Sequence, residues 1–505
     1  MTDNKVKQTK LNFYTNVAAL IANILVGIYY TPYLVRSLGL AAYGVLPLAL
    51  IINQYIGVAT QTLTHAYTRF YSVAIHKGDY KEASKDISTS LIVVLLISTL
   101  LVPVGICIVC FADRLFRIPS EFLISARLLF GYTLLSFLAS LLSSLLNVTL
   151  YAINRLDIMN IMKVIRTVCK LIFVIILFEL IRIDVSLVGL ANLLTELLIL
   201  VVSVFLFFKY KPEDVHISLG HFDRSILAAM LGMSVWVLIQ LCGDTLLYRT
   251  DNLIINHYWG TTESGALGAI SEIGHYISIV VSVIGSLFGP LILIAYAKGN
   301  HDEVKLLLIE QSTLVGCLSA ILTGIIAGCG YTVLNVWLGE GIGVYQWWLL
   351  LKMVVLPFYA AGGIMAFVYR SWNKMRFPAI GTVVFGVIDV LIMICICEFV
   401  QPNDAISILL VGAFFSFLQC YVLNIISVSR IYEDCRNKFL PITSKILLVF
   451  ILCFITGKLT VSLVTIDNLL SLGLILIMLG LVMLLVVSFI VLNGNERKKV
   501  LAIIK

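Results

Sequence analysis

Apolar runs of twenty or more residues recur along this chain from Leu11 to Leu492. Each is long enough to cross a hydrocarbon core of about 30 Å as a helix. In lipid only helices and closed barrels satisfy their backbone hydrogen bonds, and barrel strands are about half this length. The runs therefore predict an all-α membrane protein with about fourteen transmembrane helices. Composition agrees: of 505 residues, 60% are hydrophobic and only 12% charged, about half the charge that a water-facing surface carries. The expected spans lie near 11–36, 41–70, 87–111, 122–150, 157–181, 185–208, 225–257, 262–297, 306–336, 345–371, 377–400, 404–430, 441–463 and 467–492.

The net charge is +7, and its distribution carries an orientation. One side of the spans collects 26 of the 35 Lys and Arg residues, among them Lys5, Lys7, Lys10, Lys77, Lys81, Lys85, Arg155, Lys163, Arg166, Lys298 and Lys499. The opposite side has 7, such as Arg36, Arg114, Arg117 and Arg249, while Lys170 and Lys352 fall inside spans. By the positive-inside rule both termini are expected in the cytoplasm. The first lysines lead into a full-length apolar stretch with no cleavage-like site, so no signal peptide is expected. The 11 cysteines sit mostly within spans; the lone Cys107-Cys110 pair has no partners with which to build a metal or redox site.

The chain also repeats itself. Residues 25–82 align with 246–303 at a constant offset of 221 with eleven identities, including Gly39/Gly260, Gly44/Gly265, Tyr55/Tyr276 and Lys77-Gly78…Glu82 against Lys298-Gly299…Glu303. Asn154-Arg155-Leu156 is echoed by Asn373-Lys374-Met375. A shift of six spans preserves orientation, so two parallel six-helix lobes are expected, plus two C-terminal helices. The expected divisions are an N-lobe at 1–210, a cytoplasmic linker at 211–224, a C-lobe at 225–430, the last two spans at 441–492 and a basic tail at 493–505.

Polar side chains inside spans cost on the order of 2.5–3.5 kcal/mol for a central charge and so should meet a cavity or a partner. In the second span Gln54, Gln61, His65 and Arg69 share one helix face, as do Glu272, His275, Ser278, Ser282 and Ser286 in the eighth. The seventh carries Gln240, Asp244, Tyr248 and Asp251, and the first Asn16 and Asn23. A wet cavity between the lobes, lined by spans one, two, seven and eight, would account for these stripes; mutual bonding across packed helices is the alternative. Lys352, Asp389, Glu179 and Glu196 are isolated deeper charges, each a proton or ion site or half of a structural pair. The Gly285/Gly289 and Gly324/Gly328 spacings mark close helix contact.

No phosphate-binding Gly-Lys-Ser/Thr loop, soluble catalytic domain or acidic loop cluster is present, so the chain is not expected to be an enzyme or to use ATP directly. Nucleic-acid binding has no support.

Tyr30-Thr31-Pro32-Tyr33-Leu34-Val35-Arg36-Ser37-Leu38-Gly39, followed by Tyr43-Gly44, resembles the start of bacterial Wzx-type polysaccharide-repeat flippases. These form the polysaccharide transport family of the multidrug/oligosaccharidyl-lipid/polysaccharide exporter superfamily. Asp251-Asn252-Leu253-Ile254-Ile255 with Gly260, Tyr151-Ala152-Ile153-Asn154-Arg155 and Ala297-Lys298-Gly299-Asn300 are similar to further family features. The resemblance implies an inner-membrane exporter of O-antigen type, flipping an undecaprenyl-pyrophosphate-linked oligosaccharide from the cytoplasmic to the periplasmic leaflet. Its partners would be the lipid-linked oligosaccharide, membrane lipids, and the polymerase and chain-length proteins of polysaccharide assembly. Arg36, His65 and Arg69 would contact phosphate, and Asn23, Tyr55 and Gln61 sugar. Asp244, Arg249, Asp251, Glu272 and His275 complete the candidate cavity. No cofactor is implied beyond coupling to H+ or Na+, for which Asp244, Glu272, Lys352 and Asp389 are the candidates. A cation-coupled multidrug exporter, a lipid II flippase and a non-transporting assembly component remain alternatives.

Overall fold

The computed structural model describes residues 2–286, 289–372 and 374–490; the basic tail and Asn373 lie outside it, as do several side chains, those of Gln61 and His65 among them. No strand occurs among the described residues, and fourteen of their helices have twelve or more residues. In chain order these are α1 (Thr2–Leu38), α2 (Val45–Lys77), α3 (Tyr80–Cys110), α4 (Leu123–Leu146), α5 (Leu156–Leu180), α6 (Val185–Tyr210) and α7 (Arg224–Trp259). There follow α8 (Thr261–Ser286), α9 (His301–Gly328), α10 (Gln346–Ser371), α11 (Arg376–Cys395), α12 (Ile406–Phe417), α13 (Phe439–Leu463) and α14 (Leu469–Ile490). Each expected span falls on one of them. Eleven helical stretches among the described residues are long and apolar enough to cross a membrane. The chain is a multi-pass, all-helical membrane protein.

Several spans are broken where sequence continuity suggests none. The fourth pauses at Asn147 before a short helix, Val148–Ala152, and the ninth at Cys329 before Gly330–Leu338. The twelfth continues past α12 as a π-helical turn, Leu418–Leu423, then returns to α-helix over Asn424–Ser429.

The internal repeat is present in the local backbone. Gly39 separates α1 from a short helix ahead of α2 at φ 77°, and Gly260 separates α7 from α8 at φ 98°. Gly78 closes α2 at φ 74°, and Gly299 takes φ 73° at the matching place. Only glycine adopts these angles without strain. One residue later the N-caps also match: Asp79 accepts from Glu82 N at 2.9 Å, Asn300 from Glu303 N at 3.2 Å.

The chain divides into two compact units, one of Met1–Cys242 with Asn256–Gly265, the other of Gly243–Ile255 with Ala266–Lys505. In the first, α4 packs along α6 and α1 along α5. The α6–α7 linker is tied to α3: Ser84, Ser88 and Thr89 accept from the amides of His216, Ser218 and Asp223 at 3.0, 3.1 and 3.0 Å. In the second, α9 is mostly buried beyond its first two turns and packs on α10 and α13. Gly324 and Gly328 make that contact possible, since a Cβ at Gly328 would lie 2.2 Å from the carbonyl oxygen of Phe454. Of the other glycine pair, Gly285 is in ordinary contact with Ile364, and the surroundings of Gly289 lie outside the described residues.

Candidate functional site

In the second unit, the polar face of α7 meets polar groups from α10, α11 and the π-helical turn. That turn brings Gln419 inward; such turns recur at functional positions because the extra residue re-aims a side chain. Gln419 accepts from the Tyr248 hydroxyl at 2.8 Å and donates to Thr382 Oγ1 at 3.2 Å and Asp244 Oδ1 at 3.4 Å. One turn along α7, Asp251, 3% exposed, receives the ammonium of Lys352 from α10. Beside that pair lies Asp389 of α11, fully buried, whose carboxylate interacts electrostatically with Asp251 and Lys352. Neither Asp389 oxygen has a hydrogen-bond partner among the described residues. One carboxylate thus holds the ammonium, whose side chain is 28% exposed, with a second buried carboxylate near by, an arrangement that can hold or release a proton.

The first unit holds two polar clusters. At the Leu156 end of α5, Asn12 of α1 donates to Asn154 Oδ1 at 3.1 Å and accepts from Asp157 N and Gln8 Nε2, each at 2.9 Å. Arg155 grips Asp157 with two donors, at 3.0 and 3.1 Å. That hydrogen-bonded pairing pushes the Arg155 guanidinium above its ordinary pKa. Asn154 sits at φ 60°, in the left-handed region that Asn enters more readily than most residues. The Asn154-Arg155 motif is therefore a clamp joining α1 to α5. Farther along α5, Arg166 pairs with Glu196 of α6 at 2.9 Å, and the Lys170 ammonium lies 4.8 Å over the ring of Tyr30.

Among the candidates read from sequence, Asp244, Asp251, Lys352 and Asp389 are brought together in the second unit. Lys352 and Glu196, isolated in the sequence, are each ion-paired. Glu272 is half-buried, while Arg249 and His275 are exposed. In the first unit Asn23, Arg36, Tyr55 and Arg69 are exposed; the side chains of Gln61 and His65 lie outside the described residues. Gln54 and Gln240 each bury a carbonyl oxygen with no partner among the described residues. Sequence reasoning missed Gln419 and Thr382, because their role depends on tertiary contact. It also missed a polar face on α5, although the spacing Asn160, Lys163, Arg166, Thr167, Lys170 could have revealed it.

No known family profile matches the chain. It is 24% identical to the "Uncharacterized membrane protein EpsK" of Bacillus subtilis (strain 168), over 85% of each chain. It is 23% identical to the "Putative O-antigen transporter" of Shigella flexneri, over 69% of this chain and 81% of that one. Among solved structures, an inward-facing multidrug resistance MATE transporter of the MOP superfamily aligns with TM-score 0.67 at 14% identity, covering 82% of this chain and 98% of that one. The lipid II flippase MurJ, in an inward closed conformation, aligns with TM-score 0.63 at 14% identity, covering 96% and 98%.

Proposed function

We propose that this chain, which has the fold of the MOP superfamily, moves an undecaprenyl-pyrophosphate-linked oligosaccharide from the cytoplasmic to the periplasmic leaflet by alternating access. The observation that carries the reading is the set of charged and amide groups held at span depth in both units, on a fold shared with transporters. A diphosphate and a sugar chain cannot cross about 30 Å of hydrocarbon unaided. Side chains of this kind replace their water, while the polyprenyl tail stays in lipid. The relationship to a protein named for O-antigen transport supports the glycan class. Arg36 and Arg69, exposed in the first unit, are the proposed phosphate contacts together with His65; Asn23, Tyr55 and Gln61 are the proposed sugar contacts. Coupling to a proton or sodium gradient would act through Asp244, Asp251, Lys352 and Asp389. In this reading the protein lies in a bacterial inner membrane with both termini cytoplasmic.

Deleting the gene in its host should deplete surface glycan and leave repeat units on the cytoplasmic leaflet. Intact surface glycan in the deletion strain would sink the proposal, and drug hypersensitivity in its place would favour the multidrug reading. Arg69→Ala should abolish export at normal protein level, and Arg69→Lys should keep part of it, because charge survives but the planar two-point contact does not. Reporter fusions after Lys85, Arg224 and Arg376 should read cytoplasmic, and fusions near Arg117 and Gly341 periplasmic.

A further inference from the structure

The α6–α7 linker is polar along most of its length, with Glu213, Asp214, His216, Ser218 and His221 all exposed. What fixes it is a comb of hydroxyls on α3, where Ser84, Ser88 and Thr89 accept its amides. Val215 adds a fully buried apolar peg in the core cluster that also holds Ala83 and Ile87 of α3. At the end of the linker Lys85 reaches Asp223 at 3.6 Å, a partly exposed pair that adds little. These contacts fall outside the hydrocarbon. α3 has 31 residues, more than a core of about 30 Å can cover. Counted from Cys110 at about 1.5 Å per residue, Asp86 lies about 36 Å along the axis.

Asp86 stands near the Thr89 side of α3 and is 2% exposed. Its Oδ1 has no hydrogen-bond partner among the described residues. The charges that act on it are of its own sign: Glu82 and Asp79, about one and two turns earlier, and Asp223 from the linker. Lys85, next to it in sequence, is turned to Asp223. Across the core cluster α2 presents phenols, Tyr67 bonded to Ser144 and Tyr71 accepting from Thr149. The charged end of α2, His76 and Lys77, is exposed, as is Arg224 at the start of α7. On the linker, Lys211 donates to the Val215 carbonyl at 2.8 Å. An enclosed carboxyl without a donor, set among other carboxylates, favours its protonated form. Burial first, then Glu82, Asp223 and Asp79, push the Asp86 pKa up to about 7. A proton there removes a repulsion of Asp223, the residue whose amide Thr89 holds.

We propose that Asp86 is a proton-binding site whose loading decides how firmly the linker and the start of α7 are seated on α3. The site lies in the first unit, whereas Asp251, Lys352 and Asp389 belong to the second, and it does not depend on the flippase reading. A carboxyl whose pKa is raised in the seated state contributes stability that is fully present below its unseated pKa, near 3.9, and is lost as pH rises through about 7. The seat should therefore be tightest in mild acid and weakest above neutrality. Hydrogen–deuterium exchange of the purified full chain in detergent, from pH 5 to pH 8, reads the amides of His216, Ser218 and Asp223 against their intrinsic rates. Their protection should fall by about tenfold or more across that range. Asp86→Asn keeps the volume, cannot ionise, and should hold the pH 5 protection throughout. Glu82→Gln removes one neighbouring carboxylate at an exposed position and should move the fall to lower pH. His216→Gln with His221→Gln removes the linker imidazoles that titrate in the same window and should leave the fall in place. Asp302→Asn, on α9, is the control and should behave as the unaltered chain does. A flat profile in the unaltered chain would overturn the proposal, as would a fall that survives in Asp86→Asn, stays unmoved in Glu82→Gln or vanishes in the histidine variant. Protection regained at pH 8 when sodium chloride replaces choline chloride would mean that the site takes a metal cation, and would overturn it too.

Discussion

The two units hold their intramembrane charge in opposite ways. In the first, the cations of α5 lie on a partly exposed face, where Glu196 pairs with Arg166 and interacts electrostatically with Lys170. In the second, Asp251, Lys352 and Asp389 are packed together with Asp251 and Asp389 almost or fully buried, and carboxylates outnumber the ammonium. Enclosure with excess negative charge suits a group that holds a proton or fixes a helix. Charge at span depth is thus not one signal: its exposure and its partners decide what it can do.

The largest effect that would break this comparison comes from removing one lysine in each unit. Lys352→Met leaves Asp251 buried beside Asp389 with no cation, and stripping one partner from a buried pair costs about 3–5 kcal/mol. The variant should lose most folded, monodisperse protein in detergent. Lys352→Met with Asp251→Leu and Asp389→Leu should recover it, since an apolar replacement of a whole buried charge cluster is often neutral or stabilising. Lys170→Met should shift the thermal midpoint less, because Lys170 is half-buried and Glu196 keeps Arg166 as its ion-pair partner. Equal losses for Lys352→Met and Lys170→Met would erase the distinction between the two clusters.

How much of this was legible in the sequence follows from the reach of each signal. Span positions are local, since twenty apolar residues need no knowledge of neighbours, and every expected span falls on a helix. The repeat is legible because Gly39, Gly78, Gly260 and Gly299 encode backbone angles rather than contacts. The Lys352–Asp251 pair and the Gln419 network are not, because they join residues from different helices. The π-helical turn at 418–423 has no turn residue to announce it. On α5, Lys163 and Arg166 read most simply as charges at a span end. Only their shared face with Lys170 shows otherwise.

The glycines offer a middle-sized test, again by pairing the units. Gly78 and Gly299 have matching φ of 74° and 73° and nothing within 4 Å of an added Cβ. Alanine at either should cost about 1 kcal/mol, and by the same amount at both, since the penalty is purely conformational. Gly328→Ala is a different case: its Cβ would meet the Phe454 carbonyl oxygen at 2.2 Å, so α9 and α13 must separate, at about 1–3 kcal/mol. Unequal costs at Gly78 and Gly299 would argue that the two ends of the repeat share sequence without sharing structure.

The smallest effect concerns two helix starts built from the same Asp-X-Ser pattern. Asp184 caps α6, accepting from Ser186 N at 2.8 Å and Ser186 Oγ at 2.6 Å, with Ser125 Oγ adding a third donor at 2.8 Å. Asp223 caps α7 through Ser225 N at 2.9 Å and Ser225 Oγ at 2.6 Å, in a more exposed position. Burial pulls the Asp184 carboxyl upward, but the hydrogen bonds from Ser186 and Ser125 outweigh it and leave its pKa below the ordinary value. The Ser225 hydroxyl, then the Ser225 amide, lower that of Asp223. A carboxyl whose folded pKa is depressed contributes stability that is fully present above its unfolded pKa, near 3.9, and is lost as pH falls through the folded value. Both caps should therefore hold at neutral pH and fail only in acid. Asp184→Ala should cost about 1 kcal/mol at pH 7, and Asp223→Ala less, because Asp184 has the extra donor from α4 and is shielded from water. Thermal midpoints of the two variants from pH 7 down to pH 3 should converge on the unaltered chain as the caps are protonated. A gap for Asp184→Ala that stays constant through acid would mean that the carboxylate acts there by packing and not as a charged cap.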